Sequence, residues 1–154
     1  MKAMFAAGCF WSVEEAFRRL DGVSKTAVGY SGGAKKNPSY EDVCTDRTGH
    51  AEAVLLEYDP KIISYDELLD TFWTIHDPTQ VNRQGPDVGT QYRSAIFYFN
   101  EMQKKTAIAS AQELENAKKH YTKIVTQIVP ATVFYPAEEY HQKYLMKRSL
   151  NVCN

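Results

Sequence analysis

The order in which hydrophobic periods change along this chain restricts its fold more than any other feature. Lys2 to Ala7 is a short apolar run closed by Gly8, the pattern of a buried strand. Beyond Cys9 the period becomes helical: Val13, Phe17 and Leu20 share one face, and Gly22 supplies a stop. Ser24 to Tyr30 and Ala53 to Tyr58 read as strands. Asp59-Pro60 breaks the second, and Ser64 with Glu67 makes the capping box that opens a helix with Leu68, Leu69, Phe72 and Trp73 inward. Arg93 to Phe99 alternates as a strand. Strand, helix, strand, strand, helix, strand is the split βαβ order of ferredoxin-like folds. We therefore expect an α+β two-layer sandwich, with a mixed sheet carrying helices on one face. A helix capped by Asn100 and running to about His120 follows, with Ile108, Ala111 and Leu114 inward. Ile124 to Val129 is a further strand, and Ala137 to about Lys147 a C-terminal helix before an unpatterned coil tail.

A chain of 154 residues is enough for one core, so residues 1–154 are expected to form a single catalytic domain. Residues 148–154 form a tail that should be mobile and that carries Cys153. Eighteen Lys and Arg against nineteen Asp and Glu leave no field that favours nucleic acid or an anionic membrane. No run approaches the roughly 18 apolar residues of a spanning helix. Only six residues separate Lys2 from Cys9, short of the ~7–15 of a secretory core. Cys9, Cys44 and Cys153 are odd in number and widely spaced, which fits a reducing compartment, the cytoplasm, better than a disulfide framework.

Chemistry concentrates in and around two polar stretches, Ser31 to His50 and Thr79 to Tyr92, both read as loops. Cys9 lies where strand hands over to helix, a setting whose N–H groups and dipole favour a thiolate. Phe10 and Trp11 cannot both enter the same core face, so one is expected to line a cavity. Glu52 enters an apolar strand, where desolvation would raise its pKa and let it donate a proton. Tyr40 and Tyr92 offer hydroxyls from the two loops. His50, His76, His120 and His141 form no i, i+4 pair, and no metal site is expected. The residues alone leave other classes open. His50 or His76 could serve Cys9 as the base of a cysteine hydrolase, and a non-catalytic binding domain is compatible with the same fold.

Gly8-Cys9-Phe10-Trp11 resembles the signature of the methionine sulfoxide reductase A family. The same resemblance extends through Tyr30-Ser31-Gly32-Gly33, Asn37-Pro38-Ser39-Tyr40, Thr48-Gly49-His50-Ala51-Glu52, His76-Asp77-Pro78-Thr79, Gly89-Thr90-Gln91-Tyr92-Arg93-Ser94 and Glu139-Tyr140-His141-Gln142. It implies an enzyme that reduces the S epimer of methionine sulfoxide, free or within peptides and proteins, with no cofactor. It further implies Cys9 as nucleophile, Glu52 as acid, and Tyr40 and Tyr92 as ligands of the sulfoxide oxygen. Phe10 and Trp11 would hold the substrate methyl and Asp87 the substrate backbone. Cys153 would resolve a Cys9 sulfenic acid into a disulfide that thioredoxin reduces, within a monomer. Ser12 stands where many members have Gly, and Thr45-Asp46-Arg47 replaces a commoner Ser-Gly-containing turn. Asn151-Val152-Cys153 replaces a commoner Gly-Tyr-Cys, which leaves Cys44 as the competitor for the resolving role.

Overall fold

The computed structural model describes residues 1–117 and 122–152. Its elements are β1 (Lys2–Ala7), α1 (Phe10–Arg18), β2 (Val23–Ser31), α2 (Tyr40–Cys44), β3 (Ala51–Tyr58), α3 (Tyr65–Thr74), β4 (Arg83–Gln84), β5 (Asp87–Val88), β6 (Ser94–Tyr98), α4 (Glu101–Asn116), β7 (Gln127–Pro130), β8 (Tyr135–Pro136) and α5 (Tyr144–Val152). Short 3-10 turns occupy Thr90–Tyr92 and Glu139–His141. β3 lies between β1 and β2 and runs antiparallel to both, while β6 pairs antiparallel with the far side of β1. The order β6, β1, β3, β2 is the interleaved sheet that the succession of periods implies; β7 and β8 extend its two edges.

Side chains alternate across each strand, so the sheet divides the core in two. Phe5, Val28, Tyr30, Val54, Leu56 and Ile96 meet Phe10, Val13 and Phe17 of α1 and Leu68, Leu69 and Phe72 of α3. Met4, Ala6, Ala51, Ala53, Ala95 and Phe97 face the other way, under Val129, Ala131 and Phe134. Glu52 has the parity of Val54 and Leu56, so the register that buries those residues also turns its carboxyl toward the helices. The Ser64–Glu67 capping box forms as the sequence indicates, and the Asn100 side chain accepts the Gln103 N–H at 2.9 Å.

Several elements differ from expectation. The stretch from Ser31 to His50 contains α2, opened by a Ser39–Asp42 capping box; with Val43 its only buried side chain, so short a helix leaves no periodic trace. The second polar stretch folds as the β4–β5 hairpin. In α4 the buried positions are Gln103 and Ala107, and Ile108 is exposed. Gln103 is buried because its amide is satisfied, accepting the Phe99 N–H at 2.9 Å and donating to Lys2 O at 2.8 Å, which no apolar pattern reveals. The last helix begins at Tyr144 rather than Ala137, after Lys143 turns the chain at a φ of +52°. It runs to Val152, where coil had been expected. Among the described residues, no helix is long and apolar enough to cross a membrane.

Candidate active site

β1 ends at Ala7, and Gly8 turns the chain at a φ of +96°, where a Cβ would meet the Gln84 side chain at 3.0 Å. Glycine is required twice there, for the backbone angle and for the hairpin that packs over it. The turn leaves Cys9 at the N-cap of α1, half-buried and with no side-chain cap bond. The sequence led us to expect an acidic thiol at this place, and the structure corrects that. Burial pushes the Cys9 thiol above its usual value, and the charges of Glu52 and Asp87 add to the effect. The N–H groups of Trp11 and Ser12 pull the other way without prevailing. A helix start stabilises a thiolate only as far as burial and neighbouring carboxylates allow.

Glu52, on β3, is 2% exposed. Its Oε1 accepts the Phe10 N–H at 3.2 Å, joining the strand to the first turn of α1 beside Cys9. Its Oε2 is buried and has no hydrogen-bond partner among the described residues. Burial pushes this carboxyl up to about 8; the Phe10 N–H lowers it in part and the Asp87 charge raises it slightly. At neutral pH Glu52 is therefore mainly a neutral acid.

Tyr40 opens α2 and Tyr92 closes the 3-10 turn, and their hydroxyls interact with each other. Burial, together with a hydrogen bond to the Cys44 thiol, keeps Tyr40 protonated. Tyr92 is pushed up to about 12 by burial, with Glu52 and Asp87 adding. Asp87 sits on β5, and its charge acts on Cys9, Glu52 and Tyr92 alike. Phe10 is buried against Tyr30 and His141, with ring centroids at 5.8 and 5.2 Å. Trp11 stays half-exposed and stacks on Tyr144 at 3.9 Å. The two aromatics part as their adjacency on a helix demands.

Seven of the eight sequence-derived site residues thus belong to one connected group around Cys9 and Glu52. Cys153 lies outside the described residues. Cys44, its competitor, is exposed and adjoins the hydroxyl of Tyr40. The hydrolase alternative loses its base. His50 Nδ1 accepts the Gly33 N–H at 3.0 Å, and Nε2 meets Lys35 O at 2.6 Å. His76 meets Phe72 O and Ser94 Oγ, each at 2.7 Å. Among the described residues, no three of His, Cys, Asp or Glu converge as a metal-ligand set.

Further residues join the site through buried and part-buried polar bonds. Glu138 accepts the Tyr30 hydroxyl and the Tyr40 N–H, both at 3.0 Å. Trp11 Nε1–H donates to His141 Nδ1 at 2.9 Å, so His141 carries its proton on Nε2; burial lowers its pKa. Glu14 accepts the Thr26 hydroxyl at 2.8 Å and the Lys143 N–H at 2.6 Å, tying α1 to the root of α5. The Glu139-Tyr140-His141-Gln142 block was a signal for part of this set; Glu14 had none, because a single acid on an amphipathic helix reads as solvated.

A thiol at a helix start, a neutral buried acid and two hydroxyls on a split βαβ sheet make up the equipment of a thiol oxidoreductase. The family model for peptide methionine sulfoxide reductase matches residues 1–154. A peptide methionine sulfoxide reductase from Methanosarcina acetivorans is 63% identical over 147 residues, covering 96% of this chain and 78% of the relative. The structure of Mxr1 from Saccharomyces cerevisiae in reduced form superposes with a TM-score of 0.90 at 39% identity, covering 97% of this chain and 86% of that one. Mxr1 in complex with Trx2 matches with a TM-score of 0.65 at 29% identity, covering 94% and 84%. The chain belongs to the peptide methionine sulfoxide reductase family.

Proposed function

We propose that this protein reduces the S epimer of methionine sulfoxide, free or within proteins, to methionine, using Cys9 as nucleophile and Glu52 as acid. The observation that carries the proposal is the buried Glu52 carboxyl beside the thiol: its Oε2 has no partner among the described residues, and burial holds its proton on up to about pH 8. A sulfoxide oxygen leaves only when protonated, so a carboxyl kept neutral at physiological pH meets the chemical requirement. The Cys9 sulfur attacks the sulfoxide sulfur while Glu52 protonates the oxygen. Tyr40 and Tyr92 donate hydrogen bonds to that oxygen as its charge develops. The S–O bond breaks, the oxygen passes to Cys9 as a sulfenic acid, and methionine leaves. The thiol proton, released by Cys9 in the attack, restores Glu52, so the step consumes no proton from solvent.

Phe10 and Trp11 receive the methyl group, and Asp87 accepts a hydrogen bond from the substrate backbone N–H. Cys153 condenses with the sulfenic acid, releasing water and forming a disulfide, and a dithiol reduces it by exchange. The complex between Mxr1 and Trx2 supports thioredoxin as that donor. No step calls for a second copy or an added cofactor, so a single catalytic domain spanning residues 1–154 suffices. A thiol cycle of this kind belongs in a reducing compartment, the cytoplasm.

Selectivity follows from fixing methyl and oxygen at once, since only one epimer then presents its sulfur to Cys9. Each apolar or polar discrimination is worth about 1–3 kcal/mol, and the two combine. With dithiol present, the S sulfoxide of N-acetylmethionine should yield methionine derivative at least ~30-fold faster than the R sulfoxide. Without reductant, product should stop at stoichiometric amounts. Comparable rates for both epimers, or continued turnover without reductant, would contradict the proposal.

A further inference from the structure

The two hydroxyls proposed to hold the sulfoxide oxygen come from distant parts of the chain, so their separation depends on what joins the segments beneath them. Tyr40 opens α2, and Asp46 follows that helix, its N–H donating to Val43 O at 3.1 Å, so Asp46 is built onto the end of α2. Its φ is +63°, a left-handed angle that glycine adopts freely and that a residue bearing Cβ adopts with strain, aspartate less than most. From that corner the carboxylate crosses to the second segment. Oδ1 accepts the Thr90 N–H at 2.8 Å and the Thr90 hydroxyl as well. Thr90 is the first residue of the 3-10 turn that ends at Tyr92, and the N–H groups at the start of such a turn need acceptors from elsewhere. Arg93 Nη1 donates to Thr90 O at 2.9 Å; the Thr90 hydroxyl and N–H, with the arginine charge adding a little, hold the Asp46 carboxyl below its ordinary value. At the other end of the two segments the Tyr40 and Tyr92 hydroxyls meet.

We infer that Asp46 is a positioning residue for the Tyr40 and Tyr92 hydroxyls, capping the turn that carries one from the end of the helix that carries the other. The inference rests on the reading of these hydroxyls as oxygen ligands. Local backbone preference alone would place glycine at this angle. The strained position is held instead by a carboxylate whose two bonds both go to the Tyr92 turn. The brace fixes the gap into which the sulfoxide oxygen fits, and acts on the rate without touching substrate.

Asp46→Gly separates bracing from general stability, because it removes the carboxylate while relieving the backbone. Single-turnover methionine formation from the S sulfoxide of N-acetylmethionine, measured across substrate concentration, should lose roughly three- to tenfold in its saturating rate with KM little changed. The thermal midpoint should hold or rise. Asp46→Asn keeps an acceptor and tolerates the same φ, so it should restore most of the rate. In a Tyr92→Phe background, Asp46→Gly should have little further effect, because the brace sets the gap between two hydroxyls and one of the two is gone. An Asp46→Gly variant at full rate, an equal loss with and without the Tyr92 hydroxyl, or a loss that merely follows a lowered thermal midpoint would each overturn the inference. Tyr92→Phe at full rate would overturn the hydroxyl reading and the brace together. A slow Tyr92→Phe with a full-rate Asp46→Gly would overturn the brace alone.

Discussion

Glu52→Gln should slow single-turnover reduction of methionine sulfoxide by about 10² to 10⁴. Glutamine has nearly the volume of glutamic acid, and its carbonyl can still accept the Phe10 N–H that Glu52 Oε1 accepts at 3.2 Å. The joint between β3 and α1 is therefore preserved, and what disappears is the acidic proton. At pH 7 the neutral Glu52 carboxyl has little charge for the substitution to remove, so alkylation of Cys9 should be about as fast as in the parent protein. A slow reduction beside an undiminished thiol isolates proton donation from nucleophile chemistry. An unchanged reduction rate would move the acid role to another group, with the tyrosine hydroxyls next in line.

Cys153→Ser should abolish thioredoxin-coupled turnover after about one equivalent of methionine, because Cys9 sulfenic acid then has no resolving thiol. Cys9 should become trappable by a sulfenic-acid reagent, and Cys44→Ser should cycle normally. The described part of the chain gives this expectation a physical basis. α5, which leads toward Cys153, is rooted on α1 near Cys9. Glu14 of α1 holds the Lys143 N–H, and the Trp11 ring stacks on Tyr144. Gln142 donates its amide to Val28 O at 2.8 Å and to Ala137 O at 3.0 Å, and accepts the Val28 N–H at 2.9 Å. Sustained turnover by Cys153→Ser would remove that thiol from the cycle and return attention to Cys44, which adjoins the hydroxyl of Tyr40.

What the sequence made legible is what local chemistry decides. The first six periodic segments imposed the sheet order, because alternating strands and a single-faced helix leave few ways to bury one core. Glu52 was readable as a candidate acid, since a carboxyl inside the apolar run that ends at Tyr58 has little water to turn to. The raised Cys9 thiol is illegible in the sequence for the complementary reason. The helix start is local and visible, whereas the burial and the Glu52 and Asp87 charges that outweigh it come from strands and a hairpin far along the chain. The same holds for Gln103 and Glu14, polar residues buried by partners about 101 and 129 positions away. In the sequence Asp46 stands out only as a departure from a common turn; its bond to Thr90 spans 44 positions and leaves no trace in spacing.

Catalysis as proposed requires Glu52 to stand as a neutral acid at physiological pH, and an infrared titration of the substrate-free protein with carbon-13-labelled glutamate reads that state directly. A protonated-carboxyl band absent from Glu52→Gln should persist at pH 7 and vanish with a midpoint near 8, since burial holds the proton on well above the ordinary carboxylate range. A Glu52 carboxyl already ionised at pH 6, titrating where exposed glutamates do, would contradict the account.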